Sequence, residues 1–193
     1  MKFLENRIVR IALLFLVVVP LVSWFVVKPL RVIAPELLGL NCFDDGICID
    51  DVNRVEEARD LRSAAIVFLS ERISPFELTP SVIFCSSWKC AEKFGLGTRS
   101  AVSFGTFGIV ISPRAWKPYY VRHELIHHLQ RQELGTLKCL ILPTWLIEGM
   151  AYSISEDPRE MLEEPWQEYR SKFREWSAKI DTRNIWGEIR KSE

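Results

Sequence analysis

Three side chains suited to metal chemistry lie within one five-residue stretch of the chain, at His123, Glu124 and His127. Residues four apart share one face of an α-helix, so the two imidazoles can each offer a ring nitrogen to one metal ion. Glu124 is adjacent on the same helix and can reach a metal-bound water as a general base. The spacing therefore predicts a divalent-metal site that activates water.

The residues around this motif predict the helix that the site requires. Apolar side chains recur at helical spacing between residues 119 and 134, and Gly135 is suited to end the helix. The apolar positions are Val121, Leu125, Ile126 and Leu129. We therefore expect one continuous helix up to about Leu134.

A catalytic zinc usually takes three protein ligands, so a third must come from outside the motif. His128, the remaining one of the three histidines, is turned about 100° from His127 and is a poor ligand. Glu133 could bind the ion only if the helix broke at Gln130, and no glycine stands there. The third ligand is therefore expected on another element.

Glu148 is the predicted third ligand. The first helix continues roughly 10 Å beyond His127, and a second helix is expected to begin near Pro143 or Thr144, which are favourable start residues. If it returns antiparallel, it brings Glu148 about level with the histidines. Gly149 is expected to let the two helix backbones approach closely. The neighbours predict a buried helix, where an unpaired carboxylate is costly; they are Trp145, Leu146, Ile147 and Met150.

The sequence His-Glu-Leu-Ile-His at 123–127, followed by Trp-Leu-Ile-Glu-Gly-Met-Ala-Tyr at 145–152, resembles the paired motifs of the gluzincin group of zinc metallopeptidases. The resemblance covers about residues 105–155. It implies an α+β, minimal zincin-like fold, in which a small sheet packs on helices. These include the histidine-bearing helix and an antiparallel helix that carries the glutamate.

The resemblance also implies roles for individual residues. His123, His127 and Glu148 correspond to the ligands of a Zn²⁺ cofactor, and Glu124 corresponds to the general base. Tyr152 lies one turn after Glu148 and is a candidate to stabilise the transition state, with a core tyrosine as the alternative reading. The domain is far smaller than typical members of the group.

The implied activity is hydrolysis of peptide bonds in a peptide or protein substrate. Glu124 takes a proton from zinc-activated water and returns it to the leaving amine. Glu156 and Asp157 are candidates to hydrogen-bond the ligand histidines. One alternative, favoured by the small size, is a membrane-anchored, zinc-containing binding or assembly factor without proteolytic activity. Another is a cytosolic-facing protein with reduced cysteines and no metal.

The N-terminal part of the chain predicts a membrane anchor. Residues 8–27 are strongly apolar, and no charge occurs from Ile11 to Val27, which approaches the roughly 20 residues that span a bilayer. The run is long for a cleaved signal peptide and lacks a small-residue cleavage site, so an uncleaved single-pass anchor is favoured. Net charge is zero with no long basic run, so nucleic acid is not an expected partner. Nothing in the sequence indicates an oligomeric state.

The five cysteines form two close pairs and one remainder, at Cys42 and Cys48, Cys85 and Cys90, and Cys139. Two local disulfides fit these spacings, although four cysteines permit three connectivities. Cys139 is expected to stay free as a small buried side chain. Disulfides form in oxidising compartments, so we expect an extracytoplasmic domain, which is periplasmic if the protein is bacterial.

The 193 residues allow one compact domain beside the anchor. The expected organisation is an anchor at 1–28, a membrane-proximal linker at 29–51, a zincin-like domain at 52–180 and a tail at 181–193. In gluzincins the strand ahead of the active-site helix commonly forms the edge where a peptide substrate adds. That strand is predicted at Phe107–Ser112, with an ordinary core strand as the alternative. The other predicted elements are helices at 52–73, 88–94 and 158–180, and strands at 81–86 and 101–104.

Overall fold

The short apolar runs of the chain form a sheet and the longer periodic segments form helices, in a computed structural model that describes residues 7, 9, 10, 12 and 14–192. The strands are β1 (Asn41–Cys42), β2 (Ile47–Ile49), β3 (Val82–Phe84), β4 (Ala101–Phe104) and β5 (Gly108–Ile111). The α-helices are α1 (Val19–Val26), α2 (Val55–Arg72), α3 (Trp88–Lys93), α4 (Pro118–Leu134), α5 (Thr136–Ile141), α6 (Thr144–Ile154), α7 (Trp166–Ser177) and α8 (Ile185–Lys191). Short 3₁₀ or π turns occupy Leu14–Val18, Lys28–Ile33, Pro35–Leu38, Val52–Arg54, Pro113–Ala115 and Thr182–Asn184. The predicted α+β class is confirmed.

The sheet is five-stranded and mixed, in the order β1-β2-β3-β5-β4. Strands β2, β3 and β5 run parallel to one another, whereas β1 and β4 pair antiparallel at the two edges. The strand predicted at 107–112 is therefore internal, and the edge nearest the histidine helix is β4. Gly105, at φ 59°, lies in the turn that folds β4 back along β5.

Successive side chains of the central strands point to opposite faces of the sheet, and each face has its own core. Ile47, Ile49, Phe84 and Ile111 join the core formed with α2, α4, α6 and α8. Cys48, Ile83 and Val110 join a smaller core with Ala91 and Phe94, from the region of α3. Helix α4 therefore lies on a fully covered sheet face, which gives the histidines a rigid support.

Both local disulfides form as predicted. Cys42 bonds to Cys48 and links β1 to β2, while Cys85 bonds to Cys90 and links the end of β3 to α3. Cys139 is free and half-buried. Such bonds persist in oxidising compartments, so they indicate an extracytoplasmic domain.

Two segments assigned to a linker and a tail contribute to the folded domain. Strands β1 and β2, from the predicted linker 29–51, extend the sheet through the pairing of β2 with β3, and β2 is buried along its whole length. Helix α8, from the predicted tail 181–193, buries Trp186, whose Nε1 donates to Ser74 Oγ at 3.1 Å. The helix predicted at 158–180 is shorter, because Pro165 cannot continue a helix and instead precedes α7.

The predicted anchor falls partly outside the described residues, since 1–6, 8, 11 and 13 are not among them. Within the residues that the structure does describe, no helix is both long and apolar enough to cross a membrane.

Gly149 on α6 is required by the packing of α7. A Cβ built at this position would meet the Tyr169 carbonyl oxygen and lie 2.8 Å from Phe173 Cβ. The sequence suggested that this glycine admits the histidine helix, but the element that approaches it most closely is α7. A methyl group there would force the two backbones apart.

We expect Gly149→Ala to destabilise the fold by about 1–3 kcal/mol, the usual cost of overpacking. Thermal unfolding should show it as a melting temperature lowered by roughly 2–12 °C. The direction of the change in melting temperature tests the close contact, because alanine stabilises an unhindered helix by about 0.5–1 kcal/mol relative to glycine. A raised melting temperature would show that the helices do not meet closely.

Candidate metal centre

The two imidazoles of the motif lie together on α4, as their spacing predicts. The helix runs without a break from Pro118 to Leu134, with Gly135 following at φ 84°. His123 and His127 come from adjacent turns, and their ring centroids are 4.8 Å apart. Both point away from the sheet-facing residues of the helix, which fill the core.

Helix α6 brings Glu148 to the same place. It begins at Thr144, directly after Pro143, as expected for a proline at a helix start. Its Glu148 carboxylate faces both histidines, with Oε2 lying 3.5 Å from His123 Nε2 and Oε1 lying 3.5 Å from His127 Nε2. The connection from α4 to α6 contains a further short helix, α5, and is therefore longer than a simple turn.

The three side chains fit a tetrahedral metal ion. The two Nε2 atoms are 3.2 Å apart, and each lies 3.5 Å from a carboxylate oxygen. Bonds of about 2.0–2.1 Å at tetrahedral angles separate ligand atoms by roughly 3.3 Å. His123, His127 and Glu148 are therefore preorganised as a possible metal site.

A cavity of about 460 Å³ opens onto these ligands. Glu124 lines it beside the two histidines, with only 7% of its surface exposed. Strand β4 forms part of the opposite wall through Ala101, Val102 and Ser103. The cavity therefore joins the ligands, the expected base and the open edge of the sheet.

Tyr152 also lines this cavity, one turn beyond Glu148 on α6. Its ring lies against His123 with centroids 4.5 Å apart, and 5.9 Å from Trp166. Burial, with the nearby Glu148 charge, raises the pKa of Tyr152 to about 12. Its hydroxyl makes no hydrogen bond to another described residue, so it can donate one into the cavity.

In the site, burial and the neighbouring ionisable groups act in opposite directions on the pKa values of Glu124, His127 and Glu148. Burial raises the pKa of Glu124 above its usual value, although the histidines act against this. Burial would also raise the pKa of Glu148, but hydrogen bonds from His123 and His127 hold it well below its usual range. For His127, burial lowers the pKa and the Glu148 carboxylate more than reverses this effect. Glu148 is therefore ionised, as a metal ligand must be.

Gln130 holds the His127 ring in place, a role that the sequence did not reveal. Its amide nitrogen donates to the Ile147 carbonyl at 2.8 Å, so Oε1 faces the imidazole and accepts from His127 Nδ1 at 2.8 Å. In the neutral imidazole this hydrogen bond keeps the proton on Nδ1 and leaves the lone pair of Nε2 to bind a metal ion. The only signal in the sequence is a polar residue three positions after His127, on the same helix face.

The predicted partners of the histidines pair elsewhere. Glu156 contacts Arg72 and Arg122, and Asp157 binds Arg159. Neither acid is bonded to a ligand histidine in the part of the chain that the structure describes. Neither predicted acid therefore orients a ligand histidine, and Gln130 on the histidine helix orients His127 instead.

Removing the Gln130 amide should weaken metal binding. We expect Gln130→Ala to lower zinc affinity by about 10- to 100-fold, the usual effect of losing such a partner. Gln130→Glu keeps an acceptor for Nδ1 and should restore most of the affinity, although it cannot donate to Ile147. Zinc titration against a competing chelator measures both variants. Unchanged affinity in Gln130→Ala would contradict the role.

Two other groups are excluded as metal sites. His128 turns away from the cavity, and its Nε2 donates to the Leu78 carbonyl oxygen at 2.9 Å. Glu36 lies near Cys42 and Cys48, but these two sulfurs are joined in a disulfide and are not thiolates.

Comparison of the chain with protein-family models, with curated proteins and with solved structures finds no match. The assignment of a site therefore depends on the geometry of this chain.

Proposed function

We propose that the protein is a zinc-dependent metallopeptidase, held at the membrane by residues 8–27, that hydrolyses peptide bonds in an extracytoplasmic compartment. The strongest support is the convergence of His123, His127 and Glu148: the two Nε2 atoms lie 3.2 Å apart, and each lies 3.5 Å from a different oxygen of the Glu148 carboxylate. Two imidazoles and one carboxylate suit zinc, and leave one tetrahedral position open for water or substrate.

A zinc ion in this site would supply the charge that lowers the pKa of water toward ~7 and polarises a peptide carbonyl. Glu124 is the group that moves protons, taking one from the attacking water and delivering it to the departing amine. The buried position of Glu124 suits it to hold that proton between the two events. Tyr152 is the candidate to donate a hydrogen bond to the oxygen on which charge develops.

Strand β4 is the proposed platform for the substrate backbone. It is an edge strand, paired on one side with β5, and its residues line the cavity beside the ligands. An extended peptide can add to such an edge through main-chain hydrogen bonds. The proposed substrate is therefore an extended peptide or an unstructured protein segment.

The apolar N-terminal segment supports the membrane location. Leu14, Phe15 and Leu16 expose 55%, 62% and 75% of their surface. A run of exposed large apolar side chains is unfavourable in water and favourable in lipid. Alkaline carbonate should therefore fail to extract the full chain from membranes. Extraction with the peripheral proteins would contradict the anchor.

The activity is tested on the purified full chain by metal analysis and peptide hydrolysis. We expect about one zinc per chain, cleavage of unstructured peptides, loss of cleavage with a chelator, and its return when zinc is restored. Bound zinc without cleavage would favour the alternative of a zinc-containing binding or assembly factor. The absence of bound metal would contradict both.

A further inference from the structure

Arg131 lies in the wall of the same cavity, one helical turn beyond His127. Its side chain is half-buried, and a single nitrogen makes both of its hydrogen bonds. Nη1 donates to Ser103 Oγ at 2.7 Å and to the His127 carbonyl at 3.1 Å. These bonds fix the guanidinium between α4 and the edge strand β4.

The other guanidinium nitrogens of Arg131 have no hydrogen-bond partner among the residues that the structure describes. Within residues 14–192, no carboxylate forms an ion pair with Arg131, and neither Nε nor Nη2 makes a hydrogen bond. Neither nitrogen is among the fully buried, unpartnered atoms of the described residues. A guanidinium is shaped to hold a carboxylate through two parallel bonds, so an immobilised one with two free donors is an incomplete ion pair.

The two other arginines that line the cavity differ from Arg131 in their partners or in their exposure. Arg159, in the same cavity, donates from Nε to both Asp157 oxygens at 2.9 and 3.1 Å. Arg99 is exposed and donates to the carbonyls of Gly95 and Leu96 at 2.7 and 3.1 Å. Arg131 is therefore the half-buried arginine of the cavity that is held in place and has no carboxylate partner among the described residues.

We propose that Arg131, oriented by Ser103, binds a carboxylate of the peptide substrate. The shared chemistry is a carboxylate that belongs either to the C-terminus of the peptide or to an aspartate or glutamate side chain. This inference depends on the proposed peptidase function, and it names the substrate class. One helical turn is roughly 5–6 Å, so the carboxylate lies about one or two extended residues beyond the bond at the metal ligands.

The charges of the occupied site favour an anion at this position. A divalent cation held by His123, His127 and Glu148 would balance the negative charges of Glu124 and Glu148, and Arg159 pairs with Asp157. Arg131 then remains as an uncompensated positive charge in a half-enclosed cavity, where attraction to a substrate carboxylate is stronger than in bulk water.

The test measures binding in the full chain carrying Glu124→Gln, so that it does not depend on turnover. The probes are acetyl-tetraalanine as the free acid and as the C-terminal amide, and the same amide with its last residue replaced by glutamate or by glutamine. We expect the free acid or the glutamate amide to bind about 10- to 100-fold more tightly than its neutral partner. The probe that shows the preference identifies the source of the carboxylate.

Adding Arg131→Gln should remove the preference, and Arg131→Lys should leave a smaller one, because lysine keeps the charge but not the two-pronged geometry. Arg99→Gln is the matched control and should keep the preference, since it removes an exposed charge from the same cavity. Melting temperatures and zinc content identify any variant that fails to fold.

Equal binding of acidic and neutral probes to the Glu124→Gln protein, or a preference that survives Arg131→Gln, would overturn the proposal. Hydrolysis of the same probes by the protein with Glu124 intact is measured separately. An Arg131-dependent preference without hydrolysis would support the carboxylate site and reject the peptidase activity. Hydrolysis without an Arg131-dependent preference would support the peptidase activity and reject the carboxylate site.

Discussion

Glu124→Gln should abolish peptide hydrolysis while zinc remains bound. Glu124 lines the cavity next to both histidines but is not one of the three candidate ligands, so the substitution leaves those ligands in place. Glutamine keeps the shape of the buried side chain and cannot accept the proton of water. We expect kcat to fall by about 10²- to 10⁴-fold, the usual contribution of a general base, with little change in KM.

The measurement pairs steady-state kinetics with zinc content, and Glu133→Gln is the matched control. Glu133 is on the same helix, but its carboxylate lies 3.7 Å from Arg190, away from the ligands. The control should retain zinc and near-normal kcat. Full activity in Glu124→Gln would reject the role of Glu124 as the base.

Glu148→Gln should strongly weaken zinc binding. Each carboxylate oxygen faces one imidazole at 3.5 Å, and no other described acid forms a group with both histidines. The substitution removes the negative charge and one ligand atom at once. We expect zinc affinity to fall by more than about 100-fold, beyond the usual effect of losing a hydrogen-bond partner of a ligand, and hydrolysis to be lost with the metal.

Two further variants separate loss of the ligand from general damage. Glu148→Asp keeps the charge on a shorter side chain and should bind zinc more weakly than the native protein but better than Glu148→Gln. Glu156→Gln alters an acid just after α6 that pairs with Arg72 and Arg122, and should bind zinc normally. Zinc should raise the melting temperature of the native protein and not of Glu148→Gln, because a ligand stabilises the state that binds it. An equal rise in both would contradict the assignment.

The helices of the site were predictable because their signals are local. The interval of four residues between His123 and His127 places them on one face of any α-helix, and Gly135 marks where that helix ends. Pro143 marks the start of the next helix in the same way. These features depend on backbone geometry within a few residues, so they can be read without knowing what the helices contact.

Strands β1 and β2, at one side of the sheet, could not be predicted in this way. β1 and β2 have two and three residues, too few to show an alternating pattern. β2 is a strand because it pairs with β3, whose residues Val82–Phe84 are far along the chain. The same limit applies to α8, where Trp186 is buried against a distant part of the chain.

Residue types and helical spacing were enough to locate a possible metal site at His123 and His127, since both are properties of neighbouring residues. How the chain folds then revealed that Glu148 faces both histidines, that Gln130 bonds to His127 and Ile147, and that Arg131 lines the cavity without an ion-pair partner among the described residues. Each of these depends on how α4 packs against α6 and β4. Such packing is set by the shapes of surfaces far apart in the chain, which no local pattern contains.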